Sequence, residues 1–317
     1  MNIANPYLHK LNPEEIKNVK LRRWVCFASL AVALTLIVAK FAAYIITDSV
    51  SVMTSLMDSA FDALASTVTL LGVIHASTPA DEEHRFGHGK LEALAAMGQA
   101  LFIFGSAGYL FFESIHRFVQ PQLVKAAHVG IGVMLLSIIL TATLIAFQRY
   151  VIRRTKSVAI SADHLHYKGD LLINLSVLVA LAISAYSHWP YFDPLFAMAI
   201  SLALLYGGHE ISKESFGILM DREMSGEDRV KIERLVRTHP DVHAMHDLRT
   251  RYSGRQSFIE FHLELDGNMT LSRTHEITEE IEMILYREFP QSEVLIHQEP
   301  AGLDDHRLDT TIKASTP

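Results

Sequence analysis

The chain has 317 residues, and its 28 Lys+Arg against 35 Asp+Glu leave a formal net charge of −7. A protein that binds nucleic acid carries a basic surplus instead, so the charge argues against that class. One cysteine, Cys26, excludes a disulfide framework, a cysteine-rich zinc finger and an iron–sulfur site. The unusual feature is the 17 histidines, because histidine is the commonest metal ligand in proteins.

Six stretches are long and apolar enough to cross a bilayer, which requires roughly 20 mostly apolar residues per helix. They cover Trp24–Ile46, Val50–His75, Ala93–Phe118, Ala127–Gln148, Ser161–Tyr186 and Phe192–Ser212. Buried helices of a soluble protein would show polar faces at helical spacing, and the third and fourth stretches lack them. The sequence therefore predicts an α-helical membrane protein with six transmembrane helices over 1–220. The segment before the first stretch is polar and basic, so we expect no cleavable signal peptide.

Basic residues flank the predicted helices asymmetrically, and the flank that is richer in Lys and Arg is cytoplasmic. The segments before helix 1, between helices 2 and 3 and between helices 4 and 5 hold Lys10, Lys17, Lys20, Arg22, Arg23, Arg85, Lys90, Arg149, Arg153, Arg154 and Lys156. The opposite segments hold Lys125, with Arg117 added if helix 3 ends early. Both termini are therefore expected in the cytoplasm.

Four ionisable residues of helices 2 and 5 are spaced to form one site inside the membrane. An ionisable group at the bilayer centre costs at least about 2.5–3.5 kcal/mol and usually marks a substrate or proton path. Asp58 and Asp62 are four residues apart and lie on one helix face, and His166 and Asp170 repeat that spacing. Both pairs fall near the middle of the membrane, so we expect three carboxylates and one imidazole to converge on one divalent ion.

This ligand set suits tetrahedral Zn²⁺, which binds histidine nitrogen and carboxylate oxygen. It would also accept Fe²⁺, Cd²⁺ or Mn²⁺, because no thiolate narrows the choice. The alternative is hydrogen bonding between helices without a metal, which two such pairs on separate helices disfavour. Asp163 and His164 fall on other faces, where we expect an interfacial position. Lys40 is expected to snorkel or to pair with an acid, and no function is assigned to it.

The loop between helices 2 and 3 carries a second group of possible ligands. Its two histidines, His84 and His88, are four residues apart, and Asp81 precedes His84 by three. One turn of chain can present all three side chains to a single metal ion. The alternative is a solvated acidic loop.

From about Asp221 onward the composition becomes that of a soluble domain. Glu227–His239 and Leu271–Phe289 have helical spacing, whereas Asp247–Tyr252, Ser257–Leu265 and Glu293–Gln298 alternate as strands. The order αββαβ predicts a small cytoplasmic α+β domain of open-faced, metallochaperone-like architecture over 221–302. Residues 303–317 form a polar tail that we expect to be disordered.

Strand alternation places possible ligands of this domain away from its hydrophobic core. Glu260, His262 and Glu264 share the face of the second strand opposite its apolar residues, and His297 and Glu299 share a face of the last strand. His262 is therefore expected at a face where a ligand can reach it.

Four motifs together resemble the cation diffusion facilitator family, and closely resemble its bacterial zinc and iron efflux members. They read SLMDSAFD from Ser55, RFGHGKLE from Arg85, ADHLHYKGD from Ala162 and HDLRTR from His246. The resemblance implies a homodimer in the bacterial inner membrane that exchanges cytosolic divalent metal for protons. The transport site that it implies consists of Asp58, Asp62, His166 and Asp170.

The same resemblance implies further sites outside the membrane. Family members carry a second zinc site at the positions of Asp81, His84 and His88, and a charge pair matching Lys90 and Asp221 that ties this loop to the end of helix 6. Their cytoplasmic domains hold a binuclear site between subunits, at positions matching His246, His262, His275 and His297, with an aspartate where this chain has Glu299. His239, His243 and His306 match none of these positions, and we expect them at the surface.

These residues predict a proton-coupled antiporter, not an enzyme, that exports Zn²⁺, and also Fe²⁺ or Cd²⁺, by alternating access. Ligands must lose protons to bind metal, so we expect His166 to carry a proton in exchange, and Leu165 to act as a gate between the two states. The alternatives are an exporter of Mn²⁺ or another cation, a membrane metal sensor without transport, and a membrane metalloenzyme. The last would need a general base such as an H-E-x-x-H helix, which the sequence lacks.

Overall fold

The structure is a computed structural model that describes residues 13–48, 50–120, 128–187, 191–254, 256–303, 307–309 and 312. The chain forms two compact units, one of Met1–Pro79 with Leu91–Phe216 and the other of Ala80–Lys90 with Gly217–Pro317. The predicted boundary at residue 220 lies close to the division near residue 217. The loop Ala80–Lys90, however, groups with the C-terminal unit, which spacing along the sequence did not indicate.

Within the described ranges, the first unit is built from six long helices. They are α1 Pro13–Thr47, α2 Val50–Ala76, α3 Lys90–Val119, α4 His128–Thr155, α5 Val158–Ser187 and α6 Phe192–Leu219. All except α5 contain a stretch long and apolar enough to cross a membrane. Helix α5 has 30 residues, as does α3, but it carries Asp163, Lys168 and Asp170. The predicted helical membrane domain is thereby confirmed, with the charged α5 as its sixth helix.

Helices α1, α2, α5 and α4 pack in a closed order, in which each contacts the next and α4 returns to α1. Helices α3 and α6 pack together through an apolar cluster formed by Ile103, Ala107, Ile200 and Leu204. Small residues allow close approach between α5 and α6, as is common between membrane helices. A Cβ atom at Gly169 would lie 2.8 Å from Leu204 Cδ2, for example.

Asp163 lies at a buried polar junction of the helices, with 1 % of its surface exposed. Its carboxylate accepts hydrogen bonds from Ser29 Oγ of α1 at 2.6 Å and from Gln148 Nε2 of α4 at 2.9 Å. Ser66 of α2 lies 3.4 Å from the other carboxylate oxygen. The partners of Asp163 come from three other helices, which spacing along α5 cannot show, and its expected interfacial position stays a prediction.

The second unit contains α7 Gly226–Arg237, β1 Ala244–Ser253, β2 Gln256–Leu265, α8 Leu271–Glu288 and β3 Ser292–Pro300. Strand β2 is central, antiparallel to β1 and parallel to β3, as expected where a hairpin is followed by a helical crossover. The predicted αββαβ cytoplasmic domain is confirmed. Its core is a single cluster, with fully buried members that include Ile232, Ile259, Leu263, Ile277 and Leu285.

Side-chain caps define where the two helices of this unit begin. Ser225 precedes α7, and its hydroxyl accepts a hydrogen bond from the Asp228 backbone N–H at 3.1 Å, while Thr270 does the same for α8. His239, expected at the surface, is buried after the end of α7 and lies 2.9 Å from Glu280 on α8. That expectation was wrong, because the ring lies between the end of α7 and the middle of α8. His306 lies outside the described residues.

Candidate metal centres

Asp62 on α2 meets His166 and Asp170 on α5 in a cluster that we call the membrane cluster. His166 Nε2 lies 2.9 Å from Asp62 Oδ1 and 3.7 Å from Asp170 Oδ2. One ligand atom from each residue lies within 4.8 Å of the others. The spacing of four residues places His166 above Asp170 on one face of α5, and the packing of α2 against α5 brings Asp62 to that face.

Asp58 was predicted as the fourth ligand and does not belong to the membrane cluster among the described residues. It lies one turn before Asp62 on α2, and it is exposed in this chain. The cluster therefore offers one imidazole and two carboxylates, which suits a tetrahedral ion with one position left open. Its role as a transport site stays a prediction.

Leu165, the predicted gate, packs between helices next to the membrane cluster. A Cβ atom at Gly207 of α6 would lie 2.7 Å from Leu165 Cδ2, so the leucine uses the space that this glycine leaves. Leu165 also contacts the apolar cluster of α3 and α6. Movement of α6 against α5 would therefore require Leu165 to repack, and its role as a gate stays a prediction.

The loop Ala80–Lys90 brings its three predicted ligands together in the loop cluster. His84 Nδ1 and His88 Nε2 each lie 3.3 Å from an oxygen of Asp81. The carboxylate also accepts hydrogen bonds from the backbone N–H groups of His84 at 2.6 Å and Glu83 at 3.0 Å, which holds the turn. The hydrogen bond from the His84 N–H lowers the pKa of Asp81. This carboxylate therefore stays charged at a lower pH than an ordinary aspartate does.

The loop is docked against the β1–β2 hairpin of the second unit. Phe86 contacts the Phe258 ring edge to face at a centroid distance of 5.5 Å, and the Arg251 guanidinium lies 4.8 Å from both ring centroids. A Cβ atom at Gly89 would lie 2.0 Å from the Ser253 carbonyl oxygen, so only glycine allows this approach.

The predicted charge pair between Lys90 and Asp221 is formed, with Nζ 2.9 Å from Oδ1. Asp221 also lies 3.6 Å from the Arg251 guanidinium, so one carboxylate serves two cations. The Lys90 and Asp221 side chains are 38 % and 41 % exposed, and a pair so exposed contributes only about 0–1 kcal/mol. Its function as a tie stays a prediction.

Three strands each contribute one residue to a third group, the cytoplasmic cluster. His246 of β1 and His262 of β2 are paired across the hairpin, and Glu299 of β3 lies 2.9 Å from His246 Nε2 and 3.2 Å from His262 Nδ1. Glu299, which is longer than the aspartate that the resemblance implies at this position, thus reaches both imidazoles. His297 lies opposite His262 on the parallel strand, with the ring centroids 4.7 Å apart. His246, His262 and Glu299 form the third candidate metal centre.

His275 was predicted as a further ligand and is not part of the cytoplasmic cluster among the described residues. It lies on α8, its side chain is 68 % exposed, and its ring lies 3.4 Å from Glu279. Within the described part of this chain it therefore lies apart from Glu299 and the two clustered histidines. A ligand shared between subunits, as the resemblance implies, would still be compatible with an exposed position.

Glu264 and Arg307 adjoin the cytoplasmic cluster and were not predicted as site residues. Glu264 Oε1 lies 3.3 Å from His246 Nδ1 and 2.6 Å from the Arg307 guanidinium. Glu264 therefore lies beside His246 Nδ1 without a hydrogen bond to it among the described residues. Strand alternation places Glu264 on the same face of β2 as His262, so Glu264 could have been predicted as a neighbour of the site from sequence. Nothing in the local sequence marks Arg307.

Arg307 belongs to the part of the tail that the structure describes, and this segment is held at β1. Asp247 accepts hydrogen bonds from the backbone N–H groups of Leu308 and Asp309, both at 2.8 Å. The expectation of a disordered tail therefore differs from the structure at residues 307–309. Asp247 has a positive φ of 52° where the β1 pairing is irregular, which turns its carboxylate toward the tail.

Replacing Asp247 with alanine is expected to release this tail segment. Burial raises the pKa of Asp247, but hydrogen bonds from Asp309 and Leu308 outweigh that effect and lower it. The tail contact is thus fully present above the ordinary carboxyl pKa and is lost as the pH falls through the lowered value. Hydrogen bonds to a charged group are worth about 1.5–3 kcal/mol. Limited trypsin digestion at neutral pH should cut the variant after Arg307 at least tenfold faster, and equal cleavage of both proteins would contradict the contact.

Two family models match the chain. The model of the cation efflux transmembrane domain matches residues 26–220, and that of the cytoplasmic domain of cation efflux proteins matches residues 224–301. Curated relatives named cation-efflux pump FieF are similar over most of the chain. The protein of Klebsiella pneumoniae is 43 % identical over 276 residues, 87 % of this chain and 92 % of its own length. That of Salmonella arizonae is 42 % identical with the same coverage.

Two solved structures of cytoplasmic domains are similar to about a quarter of the chain. The metal-bound C-terminal domain of the CzcD transporter from Thermotoga maritima is 31 % identical, with a TM-score of 0.24, and covers 26 % of this chain and 100 % of its own. The cytosolic domain of a cation diffusion facilitator family protein is 33 % identical, with a TM-score of 0.23, and covers 24 % of this chain and 93 % of its own.

Proposed function

Because the chain belongs to the cation diffusion facilitator family of cation efflux transporters, we propose that it exports Zn²⁺ from the cytosol in exchange for protons. As a member of this family, the chain is an integral inner-membrane transporter of metal cations and not an enzyme. The alternatives of a membrane metalloenzyme and of a sensor without transport are therefore set aside. The identity of the ion and the coupling to protons are the parts that we propose.

The membrane cluster is the observation that supports this proposal. One imidazole and two carboxylates from Asp62, His166 and Asp170 lie within 4.8 Å of one another between two membrane helices. Histidine nitrogen and carboxylate oxygen are ligands that Zn²⁺ binds well, whereas a site for Mg²⁺ or Ca²⁺ would be built from oxygen alone. Fe²⁺ and Cd²⁺ share much of this preference, so we propose them as weaker substrates, with Mn²⁺ as the alternative.

Exchange for protons follows from competition for the same atoms. A metal ion and a proton cannot occupy one imidazole nitrogen or one carboxylate oxygen together, so binding of metal expels protons and protonation expels metal. Alternating exposure of the cluster to the two sides then couples the two flows. In this proposal Leu165 closes the path on one side in each state.

We further propose that the chain works as a homodimer held by its cytoplasmic domain, with both termini in the cytoplasm. The excess of basic residues on the flanks of one side supports this orientation. The loop cluster and the cytoplasmic cluster belong to one unit, joined through contacts of the Phe86 ring with the hairpin. Metal bound there would stabilise one arrangement of this unit and so regulate transport.

Flux through the full-length protein in proteoliposomes tests the proposal. The lumen is loaded with a Zn²⁺-sensitive dye and a pH-sensitive dye at acidic pH, and Zn²⁺ is added outside. Zn²⁺ entry with a simultaneous rise in lumenal pH is expected, and protein-free liposomes should show neither. Entry without a pH change would contradict proton exchange, and faster entry of Mn²⁺ than of Zn²⁺ would favour the alternative substrate.

A further inference from the structure

Lys40 of α1 is a cation inside the membrane domain that the proposed mechanism does not use. Its ammonium group donates hydrogen bonds to the Ser59 hydroxyl at 2.7 Å and to the Ser55 carbonyl oxygen at 3.0 Å. Both partners lie on α2, and Ser59 is buried with 1 % of its surface exposed. A charged lysine in this setting is costly and persists where it has partners. The two hydrogen bonds hold the Lys40 ammonium group against α2, the helix that carries Asp58 and Asp62.

The fixed ammonium acts on every carboxylate of the predicted transport site. It lies close enough to Asp62, Asp170 and Asp58 to interact electrostatically with each of them. Among the described residues its hydrogen bonds go to serine oxygens and not to a carboxylate, so Lys40 does not occupy the ligand oxygens of the membrane cluster. The lysine is therefore a neighbouring charge and not a competing occupant.

The charges of this neighbourhood add to a value that matches a divalent ion. Asp62 and Asp170 of the membrane cluster contribute a formal charge of −2, Asp58 on the adjoining turn of α2 contributes −1 and Lys40 contributes +1, which leaves −2 when His166 is neutral. A bound M²⁺ ion brings the sum to zero. Without the lysine the site would carry −3 and would hold a divalent ion more tightly, because Coulomb forces are strong where water is scarce.

We propose that Lys40 is a built-in counter-charge that limits the affinity of the transport site for divalent metal and thereby permits release. This inference rests on the proposed function, since it concerns the site through which the metal moves. Tight binding alone does not speed transport: an ion bound too firmly leaves slowly, so turnover falls as affinity rises. The positive charge of Lys40 repels every cation, but only a divalent cation brings the sum of the formal charges to zero.

The test compares Zn²⁺ uptake by the full-length wild type and three variants in proteoliposomes at fixed pH. Lys40→Gln removes the charge and keeps amide donors for the serines, whereas Lys40→Met removes both. Lys40→Arg keeps the charge. For both neutral variants we expect KM for Zn²⁺ to fall at least about tenfold and kcat to fall with it. We expect Lys40→Arg to stay within about threefold of the wild type in both constants.

The four proteins separate a charge effect from a structural one. A normal KM in Lys40→Gln, or a KM that rises, would overturn the proposal. So would a change in Lys40→Met that is absent in Lys40→Gln, because the hydrogen bonds and not the charge would then matter. If one neutral variant does not elute as a folded protein, the other still decides the question. Failure of the wild type to move Zn²⁺ would refute the proposed function itself, whereas wild-type transport with an unchanged KM in Lys40→Gln refutes only the role of Lys40.

Discussion

Replacing Asp62 with asparagine is expected to abolish Zn²⁺ transport, whereas the same change at Asp58 is expected to leave measurable flux. Asp62 Oδ1 lies 2.9 Å from His166 Nε2 within the membrane cluster, so its loss removes one of three converging ligand groups. An amide carries no negative charge and binds a divalent transition metal poorly. Asp58 lies outside the cluster among the described residues, although it is also an aspartate and lies only one turn from Asp62 on the same helix.

Initial Zn²⁺ uptake into inverted membrane vesicles under a proton gradient measures both changes. We expect a loss of at least about a hundredfold for Asp62→Asn and of about tenfold for Asp58→Asn, the range seen when a residue supports a metal site from outside its ligands. Asp170→Asn is expected to match Asp62→Asn. Equal and complete losses at Asp58 and Asp62 would instead favour the four-ligand site predicted from sequence. Wild-type rates in Asp62→Asn would refute the transport site.

Replacing Glu92 with alanine is expected to destabilise the membrane domain more than any exposed charge change. Glu92 at the start of α3 accepts a hydrogen bond from Arg22 of α1 at 2.6 Å, and the two side chains are 6 % and 5 % exposed. Removing one partner leaves the other charge buried and unpaired, which costs about 3–5 kcal/mol. Replacing both residues with methionine removes the unpaired charge, so the double variant should recover most of that loss.

Thermal unfolding of the detergent-solubilised protein, followed by the loss of its folded gel-filtration peak, measures this effect. Lys90→Ala is the matched control, because Lys90 lies two residues from Glu92 and its pair with Asp221 is well exposed. That change should cost only about 0–1 kcal/mol. A small shift in Glu92→Ala, equal to that of Lys90→Ala, would show that the buried pair does not hold α1 to α3.

The elements of the fold could be predicted from sequence because their signals are local. Six apolar stretches mark the helices, although α5 carries Asp163, Lys168 and Asp170. Strand alternation and helical spacing in the C-terminal part yield the αββαβ order that the structure contains. Boundaries moved by a few residues, as when β1 begins at Ala244 and not at Asp247, because strand ends depend on pairing with a neighbour.

The candidate sites could be predicted only where their ligands share one element or a short loop. Asp81, His84 and His88 come together because one turn holds them, and His166 and Asp170 do so because four residues make one helical turn. His275 has no such local constraint, and it lies on α8 apart from the cytoplasmic cluster. Spacing on α2 likewise cannot show that Asp62 joins the membrane cluster whereas Asp58, among the described residues, does not.

Sequence by itself determined the class of this protein, since length, apolar stretches and four motifs indicate a membrane transporter of metal cations with a cytoplasmic domain. Histidines in excess pointed to metal, and their spacing divided them among separate groups. Only the tertiary structure decided which side chains meet across elements: Asp163 with Ser29 and Gln148, Lys40 with Ser59, and Arg307 with Glu264. The physical reason is that a charge is tolerated in a buried place when partners surround it, and those partners are distant in sequence.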